Sequence, residues 1–246
     1  MACENAAVFM NKNEKILFIK QELAKICECD ASAFDSDKNI FIETQNTFFQ
    51  IVTFGSNAVV RADRKIIEWC SDSFASTPAR FIMEADNFYL INEKLRSFGK
   101  KLGDEHIGYL HLYPERTPAK PPHFVYRRYN RENIKELYGY KEFFENALTG
   151  TDKDMLAVAA YENDIPVSVA ACDSHWDAWQ VGIDTLAEYR KRGLAGYLVK
   201  ELALEIERNG KVAYYNTWSA NIASTRVALG AGFYPVWVNY PCADLK

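Results

Sequence analysis

Apolar positions along the chain follow two periods. Ile16, Leu17, Ile19, Leu23 and Ile26 recur three and four residues apart among Lys and Glu, which predicts a helix. Aromatic and β-branched runs at 40–43 and 48–54 predict strands. Gly55-Ser56-Asn57 punctuates them, and 58–61 reads as another strand. Residues 79–84 are also strand-like. Phe88, Ile91, Leu95, Phe98 and Leu102 then repeat at helical spacing between charged residues, with Asp86 as the expected N-cap. Residues 107–112 close this half as a strand.

Residues 113–123 carry Pro114, Pro118, Pro121 and Pro122, four of the eight prolines. Proline fixes φ and removes a donor, so neither helix nor central strand is expected there. The segment reads as a linker between an N-terminal α/β domain of residues 1–120 and a second domain of residues 121–246. Beyond it, 124–128 reads as a strand, and 131–138 and 141–148 as two short helices. Residues 155–161 and 167–172 pair as a hairpin around Glu162-Asn163-Asp164. A strand at 179–184 and a long helix at 193–208, striped by Leu194, Leu198, Leu202 and Ile206, come next. A strand at 212–216, a helix at 222–229 and a strand at 233–238 complete the pattern.

Composition narrows the class. The chain has 246 residues, 48% hydrophobic and 25% charged, which suits a globular protein with a sizeable core and excludes disordered and collagen-like classes. A net charge of −4 argues against a nucleic-acid partner. Residues 1–10 have no basic n-region and no apolar run reaches membrane-spanning length, so neither a leader nor a membrane partner is expected. Of the six cysteines only Cys27 and Cys29 are close, and C-x-C is neither a redox nor a zinc spacing. The expectation is a cytoplasmic protein with reduced thiols. His106, His111 and His123 lack ligand spacing, so no metal site is expected. Neither a phosphate-loop NTPase signature nor G-x-S-x-G occurs.

The informative stretch is 180–233. A strand ends at Thr185, and Arg190-Lys191-Arg192-Gly193-Leu194-Ala195-Gly196 leads into the long helix. A glycine-led helix start presents free backbone N–H groups at the positive end of the helix dipole, which suits an anion such as phosphate. Arg190 and Arg192 add charged donors. A solvated basic helix start is the plain alternative. The order strand, R-x-x-G-x-A, helix, strand, N-x-x-S, helix, G-F resembles the GNAT superfamily of acyl-CoA N-acyltransferases. Arg190-x-x-Gly193-x-Ala195 matches its pyrophosphate loop. Asn221-x-x-Ser224 followed by Gly232-Phe233 matches its second motif. The preceding Asn216-Thr217-Trp218-Ser219-Ala220-Asn221 resembles the zwittermicin A-type resistance acetyltransferases. The resemblance covers the C-terminal half; residues 1–120 match no named family, and a degenerate second copy of the same architecture is one reading of them.

The resemblance implies a mixed, mostly antiparallel sheet flanked by helices and acetyl-CoA as cosubstrate. Two central strands would splay to hold the pantetheine arm on backbone groups of Ile183, Asp184 and Thr185. The loop Arg190, Lys191, Arg192, Gly193, Leu194, Ala195, Gly196 would hold the pyrophosphate, and Asn221 and Ser224 the thiol end. A backbone N–H near Ile183 would face the oxyanion. The implied reaction is acetyl transfer to a primary amine of a small molecule; a non-catalytic acyl-CoA sensor and an interaction protein with a vestigial fold are the alternatives. A homodimer stays open. Attack needs a neutral amine, so a general base is expected. The family's usual Tyr acid and Glu base fall here at Ala228 and Trp179. That leaves His175 and Asp173, with Asp177, as candidate bases, and Tyr214, Tyr215 and Ser219 as candidate proton donors. A polar hairpin turn is the plainer account of the first three.

Overall fold

A computed structural model describes residues 10–174 and 176–245. In chain order the elements are α1 (Lys12–Cys27), β1 (Ile40–Glu43), β2 (Phe49–Thr53), β3 (Ala58–Ala62), α2 (Ile67–Phe74), α3 (Ala79–Ile82), α4 (Ala85–Arg96), β4 (Lys100–Leu102), β5 (His106–His111), β6 (Val125–Tyr129), β7 (Asp154–Glu162), β8 (Ile165–Ser174), β9 (Ala178–Thr185), α5 (Leu194–Arg208), β10 (Val212–Thr217), α6 (Ile222–Gly230) and β11 (Phe233–Asp244). The fold is mixed α/β with a mostly antiparallel sheet flanked by helices. Among the described residues no helix is long and apolar enough to cross a membrane, and no three His, Cys, Asp or Glu side chains group as a metal site.

Two compact units emerge, interleaved in sequence rather than divided at residue 120. Among the described residues the first comprises 10–15, 109–174, 176–216 and 220–235; the second comprises 16–108, 217–219 and 236–245. β5 and β11 each contribute residues to both. In the first unit β6, β7, β8 and β9 pair antiparallel in order, and β10 joins β9 in parallel. The turn between β7 and β8 places Asn163 at φ 50° and Asp164 at φ 61°, the left-handed pair that a two-residue hairpin requires. One face of this sheet packs Ile134, Leu137, Phe144 and Leu148 from a 3-10 run, Ile134–Phe143, and the turn after it. The other face receives α5, whose Leu194, Leu198, Leu202 and Ile206 are all buried.

In the second unit β2 and β3 form an antiparallel pair, and β1 runs parallel to β3. Ile66, Cys70 and Phe74, then Ile82, Ile91 and Leu95, cover them as one core.

Several local expectations are corrected. The strand expected at 79–84 is instead the short helix α3, Ala79–Ile82, followed by a turn. Pro78 starts the turn, its carbonyl accepting from the N–H groups of Phe81 and Ile82. The helix expected through Leu102 stops at Arg96, because Gly99 at φ 70° turns the chain and Lys100–Leu102 pairs with β11. Asp86 lies inside the first turn of α4, where it complements the dipole; the N-cap position is Glu84. The helix α2 lacks a strong sequence signature because it spans only eight residues. The two short helices expected over 131–148 are a single 3-10 run followed by turns.

The proline-rich segment is not a free linker. Its Pro114 carbonyl accepts from Lys200 Nζ, its Pro121 carbonyl accepts from the Tyr126 hydroxyl at 2.7 Å, and Tyr113 packs on Tyr234 at 4.3 Å. It is a strap packed within the first unit.

Candidate active site

The site is built at the point where two strands part. β10 pairs with β9 only from Val212↔Ala178 to Tyr215↔Val181. β9 continues for four more residues, still paired with β8 up to Thr185↔Ser168. Its last half therefore has β8 on one side and, among the described residues, no ladder partner on the other. Antiparallel pairs alternate between hydrogen-bonded and non-hydrogen-bonded. The Leu186 N–H bonds the Val167 carbonyl at 3.0 Å, so Asp184 and Gly182 lie in hydrogen-bonded register with β8. The N–H and C=O of Ile183 and Thr185 consequently point to the open side. The Thr185 carbonyl accepts from Arg190 Nε at 3.1 Å.

The side chains here fasten the strand. The Asp184 carboxylate accepts from the Asn146 N–H (2.7 Å), Asn146 Nδ2 (2.8 Å) and the Ala147 N–H (3.1 Å). Gly182 allows that turn to approach: a Cβ there would sit 2.0 Å from the Asn146 carbonyl oxygen. Ser168 bonds the Asp184 carbonyl at 3.0 Å and Thr185 Oγ1 at 2.7 Å. Asp184 thus positions β9 through its side chain rather than meeting a ligand with it. Neither Gly182 nor Ser168 carries a periodic signature by which the sequence could have marked it.

After Thr185 the chain makes a 3-10 turn, Ala187–Tyr189, and then the loop. Lys191 at φ 61° and Gly193 at φ 82° both take left-handed backbone. Gly193 stands at the N-cap of α5 without a side-chain cap. The first bond of the helix is from the Tyr197 N–H to the Gly193 carbonyl. The N–H groups of Gly193, Leu194, Ala195 and Gly196 donate to no acceptor among the described residues. Little crowds this end, since Cβ atoms built on Gly193 and Gly196 meet only Pro121 at 3.7 Å and Pro118 at 3.8 Å. Arg190, Lys191 and Arg192 are exposed, and Arg192 bonds the Glu188 carbonyl at 3.0 Å.

The second motif forms a cap. The Asn221 side-chain oxygen accepts from the Ser224 N–H at 3.1 Å and starts α6. Ser224 Oγ lies 2.7 Å from the Tyr215 hydroxyl. Tyr215 is the last β10 residue on the ladder, and burial, only partly offset by Ser224, raises its pKa. Tyr214 donates to Gln180 Oε1 at 2.8 Å, and Trp176 stacks on it, ring centres 5.3 Å apart and nearly parallel. Asp173, Gln180 and Tyr214 lie in one row across β8, β9 and β10, and burial, then the Asp173 charge, raises the Tyr214 pKa. Asp173 is half-buried in β8 opposite Gln180, within a strand rather than a turn. Asp177 is exposed and lies 3.2 Å from Lys211. His175 lies outside the described residues. Ser219 is exposed and its N–H donates to Glu105. Ala228 and Trp179 are both buried.

No family model matches the chain, and no curated protein matches it. Solved structures do. A GCN5-related N-acetyltransferase-like protein from Streptococcus suis aligns over 95% of this chain and 100% of its own, with 14% identity and a TM-score of 0.51. The chain has the GNAT fold. A GCN5-related N-acetyltransferase from Kribbella flavida (16% identity, TM-score 0.46) is matched over 62% of either chain. A GNAT-family acetyltransferase from Colwellia psychrerythraea (13%, 0.44) is matched over 57% of either chain. The chain thus spans about three fifths of the length of these two GNAT proteins. Nothing in the likenesses separates a zwittermicin A-type subgroup from other GNAT proteins.

Proposed function

We propose that the protein transfers an acetyl group from acetyl-CoA to a primary amine of a small molecule. The observation that carries this reading is the gap beside Ile183 and Thr185, followed by the uncapped helix start at Gly193. A pantetheine amide can pair with the outward peptide groups of β9 as an added strand would. The four free N–H groups from Gly193 to Gly196 meet a pyrophosphate, with Arg190, Lys191 and Arg192 around it. Asn221 and Ser224 lie at the thiol end.

In the reaction the amine nitrogen attacks the thioester carbonyl, a C–N bond forms and the C–S bond breaks. An alkylammonium, with a pKa near 10.4, must first lose a proton, and the departing thiolate, near 8.5, gains one. Asp173, through water, is the described candidate to take the first. The Tyr215–Ser224 pair supplies the second, because a tyrosine that keeps its proton is a donor at neutral pH. The stacked Trp176 and Tyr214 rings offer an electron-rich surface that suits a cationic amine before deprotonation.

Calorimetry with acetyl-CoA, on wild type and Gly196→Glu, tests the cosubstrate. Tight binding to wild type and none to the variant is expected; no binding to wild type sinks the proposal. Thiol release with a panel of small amines then tests transfer. Tyr215→Phe should lower kcat roughly 10²-fold or more while acetyl-CoA affinity stays within about threefold.

A further inference from the structure

A cavity of the first unit lies away from the strand gap. Its volume is about 390 Å³, at the lower end of the size of small-molecule sites, which is roughly 300–1,000 Å³. Met10, Leu112, Pro114 and Leu204 supply apolar wall, and Asn11, Lys12, Lys15, Glu115 and Glu207 supply the polar groups. Glu207 lies thirteen residues beyond Leu194 on α5, so at ~1.5 Å rise per residue it is about 20 Å from the helix start.

Behind the wall runs a buried polar chain. Lys15 Nζ donates to Glu207 Oε1 at 2.5 Å and to the His111 carbonyl at 2.7 Å. His111 Nδ1 lies 2.8 Å from the same Glu207 oxygen, and its Nε2 lies 3.1 Å from Lys200 Nζ, which also donates to the Pro114 carbonyl. An ammonium is only a donor, so His111 accepts at Nε2 and carries its proton on Nδ1. All four side chains are at least nine-tenths buried. Two valences of this chain are unused. Glu207 Oε2 accepts no hydrogen bond among the described residues, and Lys15 has used two of its three N–H groups. Both residues line the cavity. An unfilled acceptor and an unfilled donor, side by side in an apolar recess, match an amide, which offers one N–H and one C=O. Among the lining side chains Lys12 and Lys15 are matched by Glu115 and Glu207, so an amide needs no further counter-ion there.

We infer that this cavity is a binding site for a small neutral molecule with an apolar body and an amide head, the head held by Glu207 Oε2 and Lys15 Nζ. Ligand-observed NMR with hexanamide as probe, and hexylammonium and hexanoate as charged counterparts of the same length, tests it. Hexanamide should bind wild type at millimolar or lower concentration, at least tenfold more tightly than either ion. Leu204→Trp, which fills the cavity and leaves the ion pairs intact, should weaken it at least tenfold. Met10→Trp fills the cavity from the chain before α1 and decides the matter if Leu204→Trp does not fold. No hexanamide binding to wild type, equal binding to the folded tryptophan variant, or equal binding of either ion overturns the assignment.

Discussion

The two units each contain a strand that runs through a turn into a helix, and the two junctions differ. In the first, β9 outruns its parallel partner β10, and α5 begins at Gly193 with four unclaimed N–H groups. In the second, the parallel partner β1 stays with β3 to its last residue, Glu43↔Ala62, so no gap opens. The turn into α2 is also self-satisfied. Asp63 accepts the Lys65 N–H on its side chain at 2.9 Å and the Ile66 and Ile67 N–H groups on its carbonyl. That carboxylate sits on the turn, and no side chain caps the start of α2 itself. Neither helix start carries a side-chain cap, so what sets the first junction apart is the unpaired strand side that leads to its free N–H groups.

The largest test of this contrast concerns how each helix is anchored. α2 is held by apolar Cys70 and Phe74, whereas α5 also buries Lys200 and Glu207. Glu207→Leu leaves Lys15 buried without its counter-charge and should cost about 3–5 kcal/mol in denaturant unfolding. A loss under 1 kcal/mol would mean that α5, like α2, is held by its apolar face alone.

Next in size is Gly196→Glu. It should lower acetyl-CoA affinity at least hundredfold, about 2.8 kcal/mol, while leaving stability unchanged or slightly higher. A carboxylate in the first turn favours the helix dipole even as it repels a pyrophosphate. Affinity and stability falling together would point to misfolding instead.

Asp63→Ala tests the other junction. It should cost about 1 kcal/mol or less in stability through the lost turn hydrogen bond to the Lys65 N–H and leave acetyl-CoA affinity within experimental error. An affinity change would place the second unit's turn in the ligand site.

The smallest effect is with pH. Burial lowers the pKa of His111 from its ordinary value of about 6.5, and the Lys200 and Lys15 charges add to this against the pull of Glu207. The unfolded chain then binds a proton that the folded chain refuses, so stability should decline as pH falls below about 6.5. The Glu207 carboxyl, which burial alone would raise, is held below its ordinary value by His111 and Lys15. Its contribution is present above the ordinary carboxylate range and is lost only at more acid pH. Thermal melts of His111→Asn between pH 5 and 7 should accordingly show a shallower slope than wild type.

Much of the first unit was legible in the chain. The leucine stripe of α5 and the β7–β8 hairpin turn rest on local periodicity and left-handed turn residues, and both form as expected. Arg190 to Gly196 and Asn221 with Ser224 do stand at helix starts, for the same local reason. The short helices were less readable. α2 and α3 span too few residues for a period to show, and the turn at Gly99 divides one apolar stripe into a helix and a strand that pairs with distant β11.

What the sequence determined by itself is what neighbours along the chain can settle: amphipathic faces, hairpin turns, and a glycine that leaves a helix end uncapped. Tertiary structure alone decided the rest. It ended the β9–β10 ladder at Val181, gave the Asp184 carboxylate to the Asn146 turn, and packed the proline strap beside Gly193 and Gly196. It also joined Lys15, His111, Lys200 and Glu207, separated by up to 192 positions, into one buried chain. The physical reason is that a buried charge has no local preference that reveals its partner. Which distant group meets it depends on how helices and strands stack, and that is a property of the whole fold.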